Sequence, residues 1–407
     1  MVITDFLERN ARLYGSDIAL VEVNPSEERD SAVTWREASL IAEAQPDAPY
    51  RRELSWRDFD RRANRFANFL LSRNIRRGTK VGILLMNCLE WLPIYFGILK
   101  AGCIAVPLNF RYASDEISYC LDLADVEVLV FGPEFVSRLD PIQQSLTRVK
   151  IRLFVGRNVP GYAEDCRRLM GFCSSSVPPI ALSEDDDAAI YFSSGTTGFP
   201  KGVMLTDRNF NAIAVQFSAY EGLFKKGQTL MNIMPPFIAY GYACGVHLPL
   251  VLGLTVVIIP NLDPAKLGSL IWKYKPEHMF GVPAHYQQMA SSLLLKNKDL
   301  SFIRNYAAGG DAITVGAEQS VNDFLAAHGV EYGLAKGYGM TEVSSAATAA
   351  SGLANKVGSV GIPLVNTLVS VFEPGTDTEL PIGERGELCI SGPAIMKGYY
   401  GKPAETA

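Results

Sequence analysis

Residues 191–210 read YFSSGTTGFPKGVMLTDRNF, and the order of these residues decides what to expect of the fold around them. Ala188 to Phe192 is an apolar run suited to a buried strand. Ser193 to Gly198 are all small or hydroxylated, Pro200, Lys201 and Gly202 come next, and Val203 to Leu205 is apolar again. Small residues let a backbone approach an anion closely, and Gly195, Gly198 and Gly202 permit a positive φ. Loop N–H groups and the hydroxyls of Ser193, Ser194, Thr196 and Thr197 can wrap phosphate oxygens, with Lys201 adding a point charge. The spacing from Gly195 to Lys201 is that of a P-loop. However, Pro200 stands where that motif has its second glycine, and Gly202 where it holds magnesium through Ser or Thr. A plain surface loop carrying an incidental lysine is the competing reading.

Outward from this loop the chain alternates helix and strand, the pattern of a mostly parallel sheet covered by helices. Trp56 to Ser72 is amphipathic, with Phe59, Ala63, Phe66, Ala67 and Leu70 on one face and Ser55 as its N-cap. Residues 80–85, a helix over 89–100 and residues 104–107 make one βαβ unit. Further strands are expected at 125–131, 150–154, 188–192, 255–259 and 302–306. Residues 23–53 read as a polar surface insertion. T-W-R-E at 34–37 and S-W-R-D at 55–58 read as two separate helix starts.

The 407 residues carry 38 Lys+Arg against 43 Asp+Glu, a net charge of −5, which gives no basic excess for nucleic acid. The 7 cysteines are scattered and odd in number, with no C-x-x-C pair, so a reducing compartment, the cytoplasm, is expected rather than a disulfide framework. Residues 229–262 lack formal charge, but Pro235-Pro236 and Gly253 break the run into a helix over 239–252 and a strand. No transmembrane span is expected.

Two more segments have chemistry in them. In AAGGDAIT at 307–314, Gly309 and Gly310 let a flat ring approach the backbone, with Asp311 or Thr314 as a simple helix cap in the competing reading. In GYGMTE at 337–342, Tyr338 between Gly337 and Gly339 offers an aromatic face, Thr341 a hydroxyl and Glu342 a hard carboxylate suited to magnesium. A surface carboxylate is the alternative for Glu342.

With these motifs in place, the chain resembles the AMP-forming acyl-CoA synthetases of the adenylate-forming superfamily over nearly its whole length. S-S-G-T-T-G-F-P-K-G at 193–202, GYGMTE at 337–342, VGSVGIPL at 357–364 and GELCISGPAIMKGYYGKP at 386–403 carry the resemblance. It implies an α/β fold: the large N-terminal domain of these enzymes, stacked sheets with flanking helices in αβαβα order, plus the start of a small distorted β-barrel. Approximate subdomains are 1–205, 206–360 and 361–407.

It further implies that ATP is held by Ser193, Ser194, Gly195, Thr196, Thr197, Gly198 and Lys201. The adenine side is formed by Gly309, Gly310 and Asp311, and by Gly337, Tyr338, Gly339, Met340 and Thr341. Tyr338 packs on adenine, Thr341 contacts the α-phosphate and Glu342 helps hold Mg2+, with Lys201, Thr341 and Glu342 as catalytic groups. The acyl pocket is expected from Tyr240, Gly241, Tyr242, Cys244, His247, Gly310 and Gly339. A lone helix histidine such as His247 is more often a satisfied core residue than a catalyst, and Ile238 and Asp207 depart from the family pattern.

The implied reaction joins a carboxylic acid, fatty or aromatic, to CoA through acyl-AMP and pyrophosphate. Loading a carrier protein, or non-catalytic nucleotide binding, are the alternatives. The family's small C-terminal domain, with its ribose-binding aspartate and adenylating lysine, is expected beyond Lys402-Pro-Ala-Glu-Thr-Ala407, so these 407 residues alone are expected to adenylate slowly.

Overall fold

A computed structural model describes residues 1–24, 50–193, 200–220, 222–350 and 352–406. Two large sheets organise them. The first has eight strands, with Lys80–Leu84 lying parallel to both Ile104–Pro107 and Val126–Phe131. The expected βαβ unit is present, with its helix at Trp91–Lys100. On one side of Ile104–Pro107 the sheet continues into Asp187–Ser193, which pairs antiparallel with Lys201–Thr206.

The second sheet has nine strands. Thr229–Asn232, Thr255–Ile258, His278–Gly281, Asn305–Ala308 and Ala335–Tyr338 form its parallel centre. Ile18–Asn24 and Tyr50–Ser55 extend the same sheet, although they precede the first sheet in the chain. A separate antiparallel pair, Leu368–Phe372 with Glu387–Ser391, lies toward the C-terminal end.

Three cores fill the spaces between and outside the sheets. The largest takes residues from both sheets and from the helices Trp56–Ser72 and Trp91–Lys100 between them. A second lies under Leu267–Tyr274, Pro283–Ala290 and Val315–Ala327 on the outer face of the nine-stranded sheet. A third covers the outer face of the eight-stranded sheet. This is the expected αβαβα order. Helix Trp56–Ser72 begins as its sequence dictates: Ser55 Oγ accepts from Asp58 N–H at 3.1 Å, and Phe59, Ala63, Phe66, Ala67 and Leu70 are fully buried.

Two expectations need correction. The stretch 23–53 is not polar surface at its ends, because both belong to strands of the second sheet. Arg52 is 1% exposed, its guanidinium held between the carboxylates of Glu22 and Glu90. Arg52, a charge that makes the segment look exposed, is neutralised inside the fold by these two carboxylates. Residues 25–49, with the T-W-R-E repeat, lie outside the described residues. The strand expected at 302–306 forms at Asn305–Ala308 instead, because Asn305 and Tyr306 fall in register with His278 and Met279. No helix among the described residues is long and apolar enough to cross a membrane. The stretch 239–252 is helical but interrupted: Ala239–Tyr242 and Leu248–Leu252 are α-helical and Ala243–His247 between them is a π-turn.

Candidate active site

Ser193 and Lys201 face each other across the last pair of the antiparallel ladder, so the hairpin brings both ends of the glycine-rich loop to one place. Ser194, Gly195, Thr196, Thr197 and Gly198 lie outside the described residues. The Lys201 ammonium is 2.7 Å from Glu405 Oε2 and 5.0 Å from the centre of the Tyr399 ring. Tyr399 belongs to a short strand, Gly398–Tyr399, that hydrogen-bonds to Lys201–Thr206.

The second sheet delivers the facing groups. Strand Ala335–Tyr338 ends at the site, and the chain turns sharply after it. A Cβ on Gly339 would fall 1.8 Å from the Ser345 carbonyl oxygen, so no side chain fits there. The turn continues through Thr341–Val343, which places Glu342 toward Tyr399, whose hydroxyl donates to Glu342 Oε1 at 2.8 Å. The Glu342 carbonyl accepts from Met396 N–H at 2.8 Å. Burial, then the bond to Glu342, pushes the Tyr399 phenol up to about 12. It stays a donor to the carboxylate at neutral pH.

These groups border a cavity of about 620 Å³ between the sheets. Of the expected nucleotide residues, Ser193, Lys201, Gly309, Gly310, Gly337, Tyr338, Gly339, Met340 and Thr341 line it together with Glu342. Asp311 does not line it; it is exposed and accepts the neighbouring Ala312 N–H. Thr314 caps the next helix, taking Ala317 N–H at 3.3 Å.

Of the expected acyl-pocket residues, Tyr240, Cys244, Gly310 and Gly339 line the cavity, whereas Gly241, Tyr242 and His247 do not. Gly241 is packed against the Pro235 carbonyl, which a Cβ would meet at 2.1 Å. Tyr242 is fully buried against Tyr95 and Phe210. His247 is 1% exposed, bonded to Asn211 Oδ1 at 2.9 Å, with burial pushing it down to about 3. The core reading of His247 is the one the structure takes. The physical reason is the π-turn over Ala243–His247. Its wider i→i+5 spacing rotates the later part of the helix, so the α-helical i, i+4, i+7 relation of Tyr240, Cys244 and His247 holds only as far as Cys244.

Sequence reasoning missed Phe217, Ile238 as a lining residue, Phe280, Ser345, Ala346, Thr348 and Tyr399. Most are single apolar or small residues that no local motif marks. Tyr399 lies in a family-like segment, but its contact with Glu342 crosses 57 residues. Asp207 lies away from the cavity at the start of helix Asp207–Ser218, accepting Ile3 N–H at 2.5 Å. His285 accepts Val282 N–H at its own helix start. All seven cysteines are free thiols. Cys244, which lines the cavity, is pushed up to about 12 by burial and hydrogen-bonds to Ser345 Oγ at 3.2 Å, so it is no nucleophile.

A protein-family model described as "AMP-binding enzyme" matches residues 9–400. The long-chain-fatty-acid–CoA ligase of Bacillus subtilis (strain 168) is 29% identical over 389 residues, covering 88% of this chain and 68% of that one. The probable 4-coumarate–CoA ligase 1 of Dictyostelium discoideum is 31% identical over 350 residues, covering 82% and 63%. This chain thus spans about two thirds of the length of the curated relatives it matches. In fold, the crystal structure of a long-chain-fatty-acid–CoA ligase from Archaeoglobus fulgidus superposes with a TM-score of 0.86 at 22% identity, covering all of this chain and 78% of that one.

Proposed function

Because the chain belongs to the AMP-binding enzyme family, we propose that its cavity binds ATP and a carboxylic acid and serves an acid–thiol ligase that makes acyl-CoA. In the first step a carboxylate oxygen attacks the α-phosphorus, the bond to the bridging oxygen breaks and pyrophosphate leaves. In the second, the CoA sulfur attacks the acyl carbonyl, AMP departs with the C–O electron pair, and the thiol proton passes to solvent. No protein nucleophile is required. The chain's task is to position the reactants and stabilise charge developing on phosphorus oxygens.

One observation carries this reading: among the described residues lining the cavity, Lys201 and Glu342 are the charged ones, and Tyr338 and Thr341 line the same cavity. Tyr338 offers its ring to adenine, Thr341 its hydroxyl to the α-phosphate, and Lys201 its ammonium to the polyphosphate. Glu342 is the carboxylate among the described residues that line the cavity; no group of three or more His, Cys, Asp or Glu suited to a metal occurs among the described residues. That suits magnesium, which takes one or two carboxylates and completes its shell with phosphate oxygens and water. Bound there, the ion would neutralise phosphate charge.

The rest of the wall, including Phe217, Ile238, Tyr240 and Phe280, carries no charge, which favours an apolar or aromatic acid. Calorimetry with Mg–ATP and with an acyl-sulfamoyl adenosine tests the reading; a folded sample that binds neither overturns it. A clear preference for acetate or an amino acid, measured by pyrophosphate release, would overturn the substrate class alone.

A further inference from the structure

We infer that the buried ion pair between Lys336 and Glu318 positions two neighbouring lining segments of the nucleotide slot; the inference rests on the nucleotide-binding reading above. Neither residue lines the cavity, so any role runs through other groups. Lys336 sits two residues before Tyr338 in strand Ala335–Tyr338, which puts the two on one face of the strand. Glu318 lies in the first turn of helix Val315–Ala327, which follows the Gly309-Gly310 loop, the cavity-lining segment at the end of the neighbouring strand. The pair therefore joins the strand that ends in one lining segment to the helix that follows the other. Both side chains are out of solvent, 4% and 1% exposed.

Each charged group also makes a second bond, and both run to the same third segment. Lys336 Nζ donates to the Lys356 carbonyl at 3.0 Å, and Glu318 Oε2 accepts Gly358 N–H at 3.0 Å. Gly358 has φ +78, and a Cβ there would also press on Val315 at 3.3 Å. Two residues on, the Val360 carbonyl accepts from Thr348 Oγ1 at 2.8 Å, and that oxygen in turn accepts Tyr338 N–H at 3.3 Å. The strap over 356–360 thus reaches the backbone of the stacking tyrosine.

A buried ion pair is a poor device for stability, since apolar residues of similar volume commonly do as well. What it supplies is direction. Charge-assisted contacts from two side chains fix the helix, strand and strap in one arrangement, which apolar packing does not.

The test replaces the pair by apolar residues, leaving no lone buried charge, in the double variant Lys336→Met/Glu318→Leu. Lys336→Arg keeps the charge. Affinity for an acyl-sulfamoyl adenosine is measured by calorimetry beside each variant's melting temperature. The expected result is a loss of affinity of at least about tenfold, about 1.4 kcal/mol, in the apolar variant with melting little changed, and near-complete retention with Lys336→Arg. An apolar variant that binds as tightly as the wild type overturns the inference. So does an affinity that merely tracks melting temperature across the set. Wild-type protein that fails to bind the analogue overturns the nucleotide reading itself, and the role of the pair with it.

Discussion

Lys201, the cation at the exit of the glycine-rich loop, is 2.7 Å from the carboxylate of Glu405, which comes from the short helix Pro403–Thr406. The Glu405 carboxyl is held below its usual range by Lys201 first and then by Lys402. A polyphosphate that reaches Lys201 competes with this carboxylate for the ammonium. Exposed pairs contribute little, so Glu405→Gln should tighten Mg–ATP binding by a few-fold at most, and less as salt is raised. Lys201→Ala should weaken binding by about 1.5–3 kcal/mol, the usual size of a charge-assisted contact, and should abolish the effect of Glu405→Gln. Calorimetry on both single variants and the double variant checks this; fully additive effects would mean the two side chains act independently.

Glu342→Gln should weaken the dependence of ATP binding on magnesium while leaving melting nearly unchanged, because the carboxylate lines the cavity and its hydrogen bond there comes from the Tyr399 hydroxyl. Tyr399→Phe keeps the ring beside Lys201 and removes that hydrogen bond, so it should shift the metal dependence far less. Magnesium titrations with and without ATP separate the two. An unaltered metal dependence in Glu342→Gln would assign Glu342 to structure.

Asp207 gives a stability signature in pH. Burial pushes its carboxyl up from 3.8 to about 7, against the Ile3 N–H bond that lowers it. Between those values the folded chain holds a proton that the unfolded chain has lost. The contribution of Asp207 is therefore complete at low pH and declines as pH rises toward 7, by about 1.4 kcal/mol per unit. Asp207→Asn stays neutral and should flatten this slope, matching wild type near pH 4 and exceeding it near pH 8. Denaturant unfolding across that range measures the difference.

His247 works in the opposite direction. Burial pushes it down from 6.5 to about 3, so the folded protein keeps it neutral, with Nε2–H donating to Asn211 Oδ1. Below pH 6.5 the unfolded chain takes up a proton that the folded chain refuses, and stability falls as pH falls. His247→Ala should remove that acid sensitivity and cost about 3 kcal/mol through the space left among Phe6, Phe210 and Tyr242. The Michaelis constant for the acid should not change; a large change would return His247 to the pocket.

Local chemistry made much of this molecule legible in its sequence. Strand and helix periods are properties of neighbouring residues, so the βαβ unit at 80–107 and the helix from Trp56 could be read directly. Contiguous motifs likewise marked Lys201, Tyr338, Thr341 and Glu342, because a phosphate or a base needs several backbone and side-chain groups from one tight turn. Other features depend on partners far along the chain. Arg52 looks like surface until Glu22 and Glu90 close on it from another strand and a helix start. Tyr242 and His247 share a helix with Tyr240 and Cys244, but Tyr242 stands two residues from each of these lining residues and so on another face, the π-turn at Ala243–His247 rotates the later part, and the aromatic core claims both rings. Glu405 on Lys201, Tyr399 on Glu342 and Glu318 on Lys336 are likewise contacts between distant segments. Residue type and spacing set which groups could do the chemistry; the packing of two sheets, by bringing distant residues into contact, decided which of them meet at the cavity.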